Sequence, residues 1–267
     1  MRISASLVLY EHTSADFHEA VDSYLKSCEG VLHIVDNSAT PIRSEWFAHE
    51  RVRYHFAGAN LGFGRGHNLA LHRLKEPSDC HLFLNPDVWF SPEVLPHLAQ
   101  QLDANPGWGA IMPRIEYPDG QLQRLCKLLP TPVDLIFRRF LPFKLIQQLI
   151  NQRYELHTLA QDRRNDVPSL SGCFLLVRTS LLKKIGGFDE RFFMYMEDVD
   201  LVRRIGMQAR TIYDPSVKIT HAYAKGSYSN KRLLRYHLES AIKYFNKWGW
   251  LFDSHRKLKN QDVLRRL

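Results

Sequence analysis

Residues 80–93, CHLFLNPDVWFSPE, decide how the chain is read. Cys80 to Leu84 is a short apolar run closed by the turn-formers Asn85 and Pro86, the pattern of a buried parallel strand that ends where the polar residues begin. Asp87 then falls just past the strand's carboxyl end. Ser91, Pro92 and Glu93 predict a helix start, with the serine as cap, the proline at the first turn and the glutamate at the positive end of the macrodipole. The order is therefore strand, acidic loop, helix. In open α/β sheets ligands gather outside the carboxyl ends of the strands, where a carboxylate can hold a hard cation on a phosphate. On the tripeptide alone, a plain turn after Asn-Pro accounts for Asp87 as well.

Upstream the same rhythm repeats. Ile3 to Tyr10 reads as a strand ending in Glu11-His12-Thr13-Ser14, and Ala15 to Cys28 has helical spacing through Phe17, Val21, Tyr24 and Leu25. Val31 to Val35 is a second apolar run, ending in Asp36-Asn37-Ser38, and Val52 to Phe56 is a third, ending near Gly58-Ala59-Asn60. This alternation predicts an α/β fold with right-handed βαβ units and a largely parallel sheet flanked by helices. Residues 60–68, NLGFGRGHN, precede a helix expected from about Leu69 to Leu74. Gly62, Gly64 and Gly66 would let the backbone approach a diphosphate closely, with Arg65 as counter-charge. A tight structural turn explains the same glycines, and the spacing is not a G-x-G-x-x-G fingerprint.

Downstream, a helix to roughly Asn105 is followed by an apolar run, Gly109 to Ile115, and the turn Tyr117-Pro118-Asp119-Gly120. Residues 1–120 thus read as a nucleotide-binding half. Residues 121–168 differ: Leu, Ile and Phe alternate with Arg124, Lys127, Arg138, Arg139, Lys144 and Arg153, and Pro130, Pro132 and Pro142 break the segment into short helices. Such a basic, amphipathic helical insertion suits an anionic membrane surface, or a helical excursion packed on the domain with its charges solvated. Residues 169–230 form a further half, beginning with a strand from Leu170 to Val177. In FDERFFMYMEDVDLVRR, residues 188–204, Glu197, Asp198 and Asp200 stand at a helix start, where the dipole favours them. Three acids so close repel one another, which raises at least one pKa and suits a general base. Asp200 can pair with Arg203 and Arg204 at i+3 and i+4, so it reads as ordinary helix chemistry. Asp198 is read apart from it, because Phe192, Phe193, Met194, Tyr195 and Met196 are unusually apolar for a surface helix start, although a place in the core explains those aromatics equally. Ala209 to Tyr213 and Val217 to Ile219 read as two short edge strands before His221, a candidate metal or phosphate ligand although a lone histidine after a strand is more often structural, with Lys225, Ser227 and Tyr228 beyond it. Residues 231–267 form a C-terminal helical segment whose basic end, Arg256 to Arg266, is expected to be solvated or surface-bound.

With 267 residues, no low-complexity linker and no internal repeat, one domain with an insertion is the simplest organisation. Cys28, Cys80, Cys126 and Cys173 lie far apart without a C-x-x-C pair, so neither a zinc site nor a disulfide framework is indicated, and a reducing cytosol fits. Neither a leader peptide nor a membrane-spanning run is expected. A formal charge of +8 favours an anionic partner without choosing among phosphorylated substrate, acidic lipid and nucleic acid.

Taken in order, the first strand ending in Tyr10, VDNS at 35–38, NLGFGRGHN, NPDV at 85–88, SGCFLLVR at 171–178, GGFDERFF at 186–193, MEDVDLVRR at 196–204 and His221 resemble the family 2 inverting glycosyltransferases of the GT-A fold, in their bacterial rhamnosyltransferase-like branch. The resemblance covers nearly the whole chain and implies a Rossmann-like GT-A domain. It implies that Tyr10 and Asp36 hold base and ribose, with Asn60, Gly62, Arg65 and Asn85 also on the donor side. It implies that Asp87, in the place of a D-x-D motif, reaches the diphosphate through Mg²⁺ or Mn²⁺, with His221 as a further ligand. Asp198 is implied to deprotonate the acceptor hydroxyl, supported by Glu197 and Asp200. The first acid of D-x-D is here Asn85, which leaves one carboxylate for the metal.

The implied donor is a dTDP- or UDP-sugar, dTDP-L-rhamnose first, with UDP-GlcNAc or UDP-galactofuranose as alternatives. The implied acceptor is a lipid-linked saccharide in surface polysaccharide assembly of the O-antigen or lipopolysaccharide type. The expected location is cytoplasmic, peripheral on the inner face of the membrane. A sugar-1-phosphate nucleotidyltransferase would carry a glycine-rich basic loop where this chain has Tyr10-Glu11-His12-Thr13. A nucleic-acid module would explain +8, but the aromatics form no evident stacking platform, and no nucleic acid partner is expected. The intact Glu197-Asp198 pair argues against an inactive sugar-nucleotide binder.

Overall fold

The computed structural model describes residues 1–136, 143–222 and 231–267. In chain order the elements are β1 (Ile3–Leu9), α1 (His18–Ser27), β2 (Leu32–Asp36), β3 (Val52–Phe56), α2 (Phe63–Arg73), β4 (Cys80–Leu84), β5 (Val88–Phe90), α3 (Val94–Ala104), β6 (Trp108–Glu116), α4 (Pro132–Leu135), α5 (Lys144–Tyr154), β7 (Asn165–Asp166), β8 (Phe174–Arg178), α6 (Thr179–Ile185), α7 (Glu197–Gly206), β9 (Arg210–His221), α8 (Lys231–Trp248) and α9 (Ser254–Arg265). Arg138, Arg139 and Pro142 of the expected insertion, and Lys225, Ser227 and Tyr228, lie outside the described residues.

The strands form one sheet in the order β3-β2-β1-β4-β8-β6-β9-β5, with β7 beside β9. The run β3-β2-β1-β4 is parallel, as the βαβ reading requires. All five residues of β2 and of β4 are buried, which is why these strands read as continuous apolar runs rather than alternating ones. Past β4 the sheet becomes mixed: β8 pairs antiparallel with β4 and β6, while β6 and β9 run parallel. The fold is thus α/β with a curled sheet flanked by helices.

Four local expectations change. The helix α2 begins at Phe63, not near Leu69, and takes in Gly64 and Gly66, so these two glycines are not loop. They are packing positions: a Cβ at Gly66 would lie 2.8 Å from both Val8 methyls, and one at Gly64 3.0 Å from Phe188 Cβ. The expected pair of edge strands is the single interior strand β9, whose pairing with β6 shifts register between Pro113 and Arg114. The acidic loop after β4 is followed not by a helix but by β5, antiparallel to β9, and α3 starts only at Val94. Finally, the basic C-terminal segment is not simply solvated. Arg256 and Asn260 are buried, Asn260 exchanging hydrogen bonds with the Leu129 backbone at 2.8 and 2.9 Å. Asp253, the N-cap of α9, meets Arg203 of α7 in a buried two-pronged pair at 2.7 and 2.8 Å.

Candidate active site

The parallel strands β1, β2 and β4 deliver their carboxyl ends to one edge of the sheet. A cleft of about 970 Å³ lies there, lined among others by Tyr10, His12, Asn37, Asn60, Gly62, Asn85, Asp87 and Trp89. Gly62 takes φ +83°, and a Cβ there would sit 2.1 Å from the Phe193 carbonyl, so only glycine fits. Asn60 accepts from the Gly62 N–H at 3.0 Å and Asn37 donates to the Gly62 carbonyl at 3.0 Å, which fixes the turn into α2. The Oδ1 atoms of Asn37 and Asn85 are buried and accept no hydrogen bond among the described residues. Buried acceptors are normally satisfied, so these two mark where a ligand's donors or a cation would be stabilised.

β5 explains how Asp87 finds a partner from a distant part of the chain. Val88 stands opposite His221 in the β5–β9 ladder, and Ala222 N–H donates to the Asp87 carbonyl at 2.9 Å. The Asp87 carboxylate thereby lies 3.3 Å from His221 Nε2. Burial would raise the aspartate's pKa, but the imidazole beside it holds it below the usual carboxylate range. For His221, burial works against the charged form, yet Cys173 and Asp87 together carry it up to about 10. Gln123 holds the histidine from behind, donating to its carbonyl at 2.6 Å and meeting Nδ1 at 3.0 Å. A carboxylate oxygen and an imidazole nitrogen side by side, lining the same cavities as Asn85, fit a divalent cation that would take the place of the shared proton. No group of three or more acid, His or Cys side chains converges among the described residues, so further ligands would have to come from the bound nucleotide.

A second cavity of about 400 Å³ adjoins the cleft, the two sharing Phe63, Asn85 and Met194. Its wall carries Glu197 and Asp198 at the first turn of α7. Tyr195 and Met196 enter that turn with φ of +66° and +67°, two successive left-handed residues without glycine. Such backbone costs about 1–3 kcal/mol per residue and persists where packing over-determines it. Here it turns the chain sharply so that Asp198 reaches Gly172, whose N–H donates to Asp198 Oδ2 at 3.2 Å. Burial raises the Asp198 pKa, opposed by hydrogen bonds from the Gly172 and Val199 N–H groups and by Lys127. Burial, with Asp198 adding to it, pushes Glu197 far up, and its Oε2 has no partner among the described residues. Glu197 is thus pushed toward its neutral form beside an aspartate that retains hydrogen-bond support for its charge.

No family model matches the chain. Over 207 residues it is 32% identical to the N-acetylglucosaminyl-diphospho-decaprenol L-rhamnosyltransferase of Mycobacterium tuberculosis, a match covering 72% of this chain and 66% of that protein's length. The chain is a rhamnosyltransferase-like member of the family 2, GT-A glycosyltransferases. Rhamnosyltransferase WbbL of Escherichia coli K12 is 23% identical over 258 residues, covering 89% of this chain and 91% of that protein. Among solved structures, GalNAc-T7 with UDP, GalNAc and Mn²⁺ superposes with a TM-score of 0.62 at 12% identity, covering 90% of this chain and 47% of that one. At that identity it speaks for the fold alone.

Within this GT-A domain the residues singled out from sequence separate into three groups. Tyr10, Asn60, Gly62, Asn85 and Asp87 line the cleft, His221 stands at the second cavity against Asp87, and Glu197 and Asp198 share that cavity. Asp36 does not reach the cleft wall. It is fully buried, its carboxylate taken by the Ser38 and Ile42 N–H groups and the Tyr54 hydroxyl at 2.6–2.9 Å, so it shapes the loop behind the cleft. Arg65 lines a separate cleft and pairs with Glu190 at 3.3 Å, because the early start of α2 turns it away from the donor side. Asp200 is a buried structural hub binding Arg204, Lys247 and the Trp248 indole at 2.6–2.8 Å. Sequence reading missed His12, Asn37, Trp89 and Gln123. Asn37 and Trp89 adjoin motifs already marked, whereas nothing local connects Gln123 to His221.

Proposed function

We propose that the chain is an inverting glycosyltransferase that moves L-rhamnose from dTDP-L-rhamnose onto a lipid-linked saccharide during assembly of a bacterial surface polysaccharide. The observation that carries the reading is the junction of two cavities at Phe63, Asn85 and Met194, with Asp87 facing one and Asp198 the other. Inversion is a single in-line displacement at the anomeric carbon. It needs a base on the acceptor side and charge stabilisation on the departing diphosphate. Asp198, with a pKa raised by burial, takes the proton of the incoming hydroxyl. Asn37, Gly62 and Asn85 orient the donor. Mg²⁺ or Mn²⁺ held by Asp87 and His221 would supply positive charge to the leaving group. The M. tuberculosis relative, named for an N-acetylglucosaminyl-diphospho-decaprenol, supports a lipid-linked acceptor.

Such an acceptor brings the enzyme to a bilayer, and we read the chain as peripheral on the inner membrane face. Among the described residues no helix is long and apolar enough to cross a membrane. Helix α5 nevertheless exposes Leu145, Ile146 and Leu149 after exposed Phe143, between Lys144 and Arg153. Calorimetric binding of dTDP-rhamnose, UDP-N-acetylglucosamine and UDP-galactofuranose, with and without Mn²⁺, tests the donor side. Metal-dependent preference for dTDP-rhamnose, weakened about tenfold or more in Asp87→Ala, is expected. Preference for a UDP-sugar would change the donor but keep the reaction class. No binding to any of them, with salt-sensitive binding to oligonucleotides instead, would overturn the reading.

A further inference from the structure

We infer that Lys127 forms an anion subsite for the acceptor, taking a phosphate of a prenyl-diphosphate group while the cavity wall beneath it takes the first part of the apolar chain. This rests on the proposed transfer to a lipid-linked saccharide and names how the acceptor side would recognise it. Lys127 lies in the segment following β6, tied by its N–H to the Ser169 carbonyl at 3.0 Å, and its side chain is half-buried in the cavity that holds Asp198. Among the described residues it makes no ion pair. Glu155, the other acid at that end, turns to His157 at 3.3 Å. The ammonium instead sits 5.7 Å from the centre of the Tyr154 ring.

A half-buried lysine without a carboxylate is costly, because its desolvation is not repaid by an ion pair. Most other cations facing the interior here are spoken for: Arg203 by Asp253, Arg204 by Asp200, and Lys247 by Asp189 and Asp200. Lys127 is kept available beside the base that must meet the acceptor hydroxyl. Leu125, Leu135, Tyr154 and Leu170 line the same cavity, so a charged point stands on an apolar wall. An anion joined directly to a hydrocarbon chain matches both. Tyr154 is also the last residue of α5, whose outer apolar stripe continues the path toward a bilayer. A donor diphosphate would bind elsewhere, since Lys127 is absent from the lining of the first cleft.

The test is calorimetric binding of farnesyl diphosphate to the full chain with the donor cleft saturated by dTDP and Mn²⁺, beside farnesol as the uncharged control. The wild type is expected to bind the diphosphate and not the alcohol. Lys127→Gln should weaken binding about ten- to hundredfold, and Lys127→Arg should retain most of it. Equal binding by wild type and Lys127→Gln, or no binding by the wild type, would overturn the inference. So would loss of farnesyl diphosphate binding when dTDP is added, which would place the anion in the donor cleft. Turnover then separates this role from tuning of Asp198. Lys127→Gln should raise the acceptor KM for a prenyl-diphosphate acceptor about tenfold or more and that for an octyl N-acetylglucosaminide far less, while the acid limb of the pH profile moves up with both acceptors, because the Lys127 charge lowers the Asp198 pKa. An equal change in KM and kcat with both acceptors would make Lys127 a positioning residue for the base alone and overturn the subsite. Lys127-dependent diphosphate binding without any rhamnosyl transfer would instead strike the proposed reaction alone.

Discussion

The proposed donor cleft and acceptor cavity each present an aspartate, Asp87 in the turn between β4 and β5 and Asp198 in the first turn of α7, and the surroundings drive the two in opposite directions. Asp87 has an imidazole at 3.3 Å and is held below its ordinary pKa, so its charge is available to a cation. Asp198 has burial as its largest influence and is raised, so it stays basic enough to accept a proton. On the proposed reading the same side chain serves as ligand in one cavity and as base in the other, and what differs is whether a close imidazole or burial dominates its pKa.

The sharpest way to break this contrast is to neutralise the acceptor side alone. Asp198→Asn should lower kcat by about 10²–10⁴-fold while leaving calorimetric donor binding intact. Near-normal turnover would remove Asp198 from the chemistry. On the proposed mechanism Asp198 acts ionised, and its pKa is raised by burial, so wild-type kcat should fall with decreasing pH at a value above the usual aspartate range.

The next effect concerns stability. The acceptor side leans on α7, and α7 is tied to α9 through Arg203 and Asp253, both buried. Asp253→Ala leaves the guanidinium uncompensated and should cost about 3–5 kcal/mol in urea unfolding. A loss below about 1 kcal/mol would show that the tie is relaxed in solution.

The smallest effect is a change of slope. Glu197 has a folded pKa raised above its unfolded value, so its contribution to stability is complete below the unfolded pKa and is lost as pH rises through the folded one. Glu197→Gln should match the wild type in acid and exceed it in stability at alkaline pH. Parallel stability curves for the two proteins would show that Glu197 is not held neutral.

The two regions also differed in how much of them could be read from sequence. The donor half announces itself locally, since buried parallel strands are continuous apolar runs and their polar ends, Tyr10, Asn60 and Asp87, follow directly. The acceptor half was legible only where charge crowds, at Glu197 and Asp198. Lys127 read as one of several basic residues in an amphipathic insertion, because the absence of an ion pair to it among the described residues is a property of three-dimensional neighbours. Gly64 and Gly66 were over-read as ligand loop for a similar reason: the close approach that requires glycine is made by Phe188 and Val8, not by a ligand. Asp36 carried the right motif, but three donors consume its carboxylate.

The short pairing of β5 with β9 has a consequence for the order in which the molecule comes into being. Asp87 leaves the ribosome early, together with the parallel strands that fold by near-neighbour βαβ contacts, whereas His221 closes the last strand of the sheet. Pairings between segments so distant in sequence form late, after the entropy of closing the intervening loop has been met. A nascent or truncated chain ending before β9 would therefore leave Asp87 without its imidazole, and the Asp87–His221 pair proposed to hold the cation would form only once β9 docks.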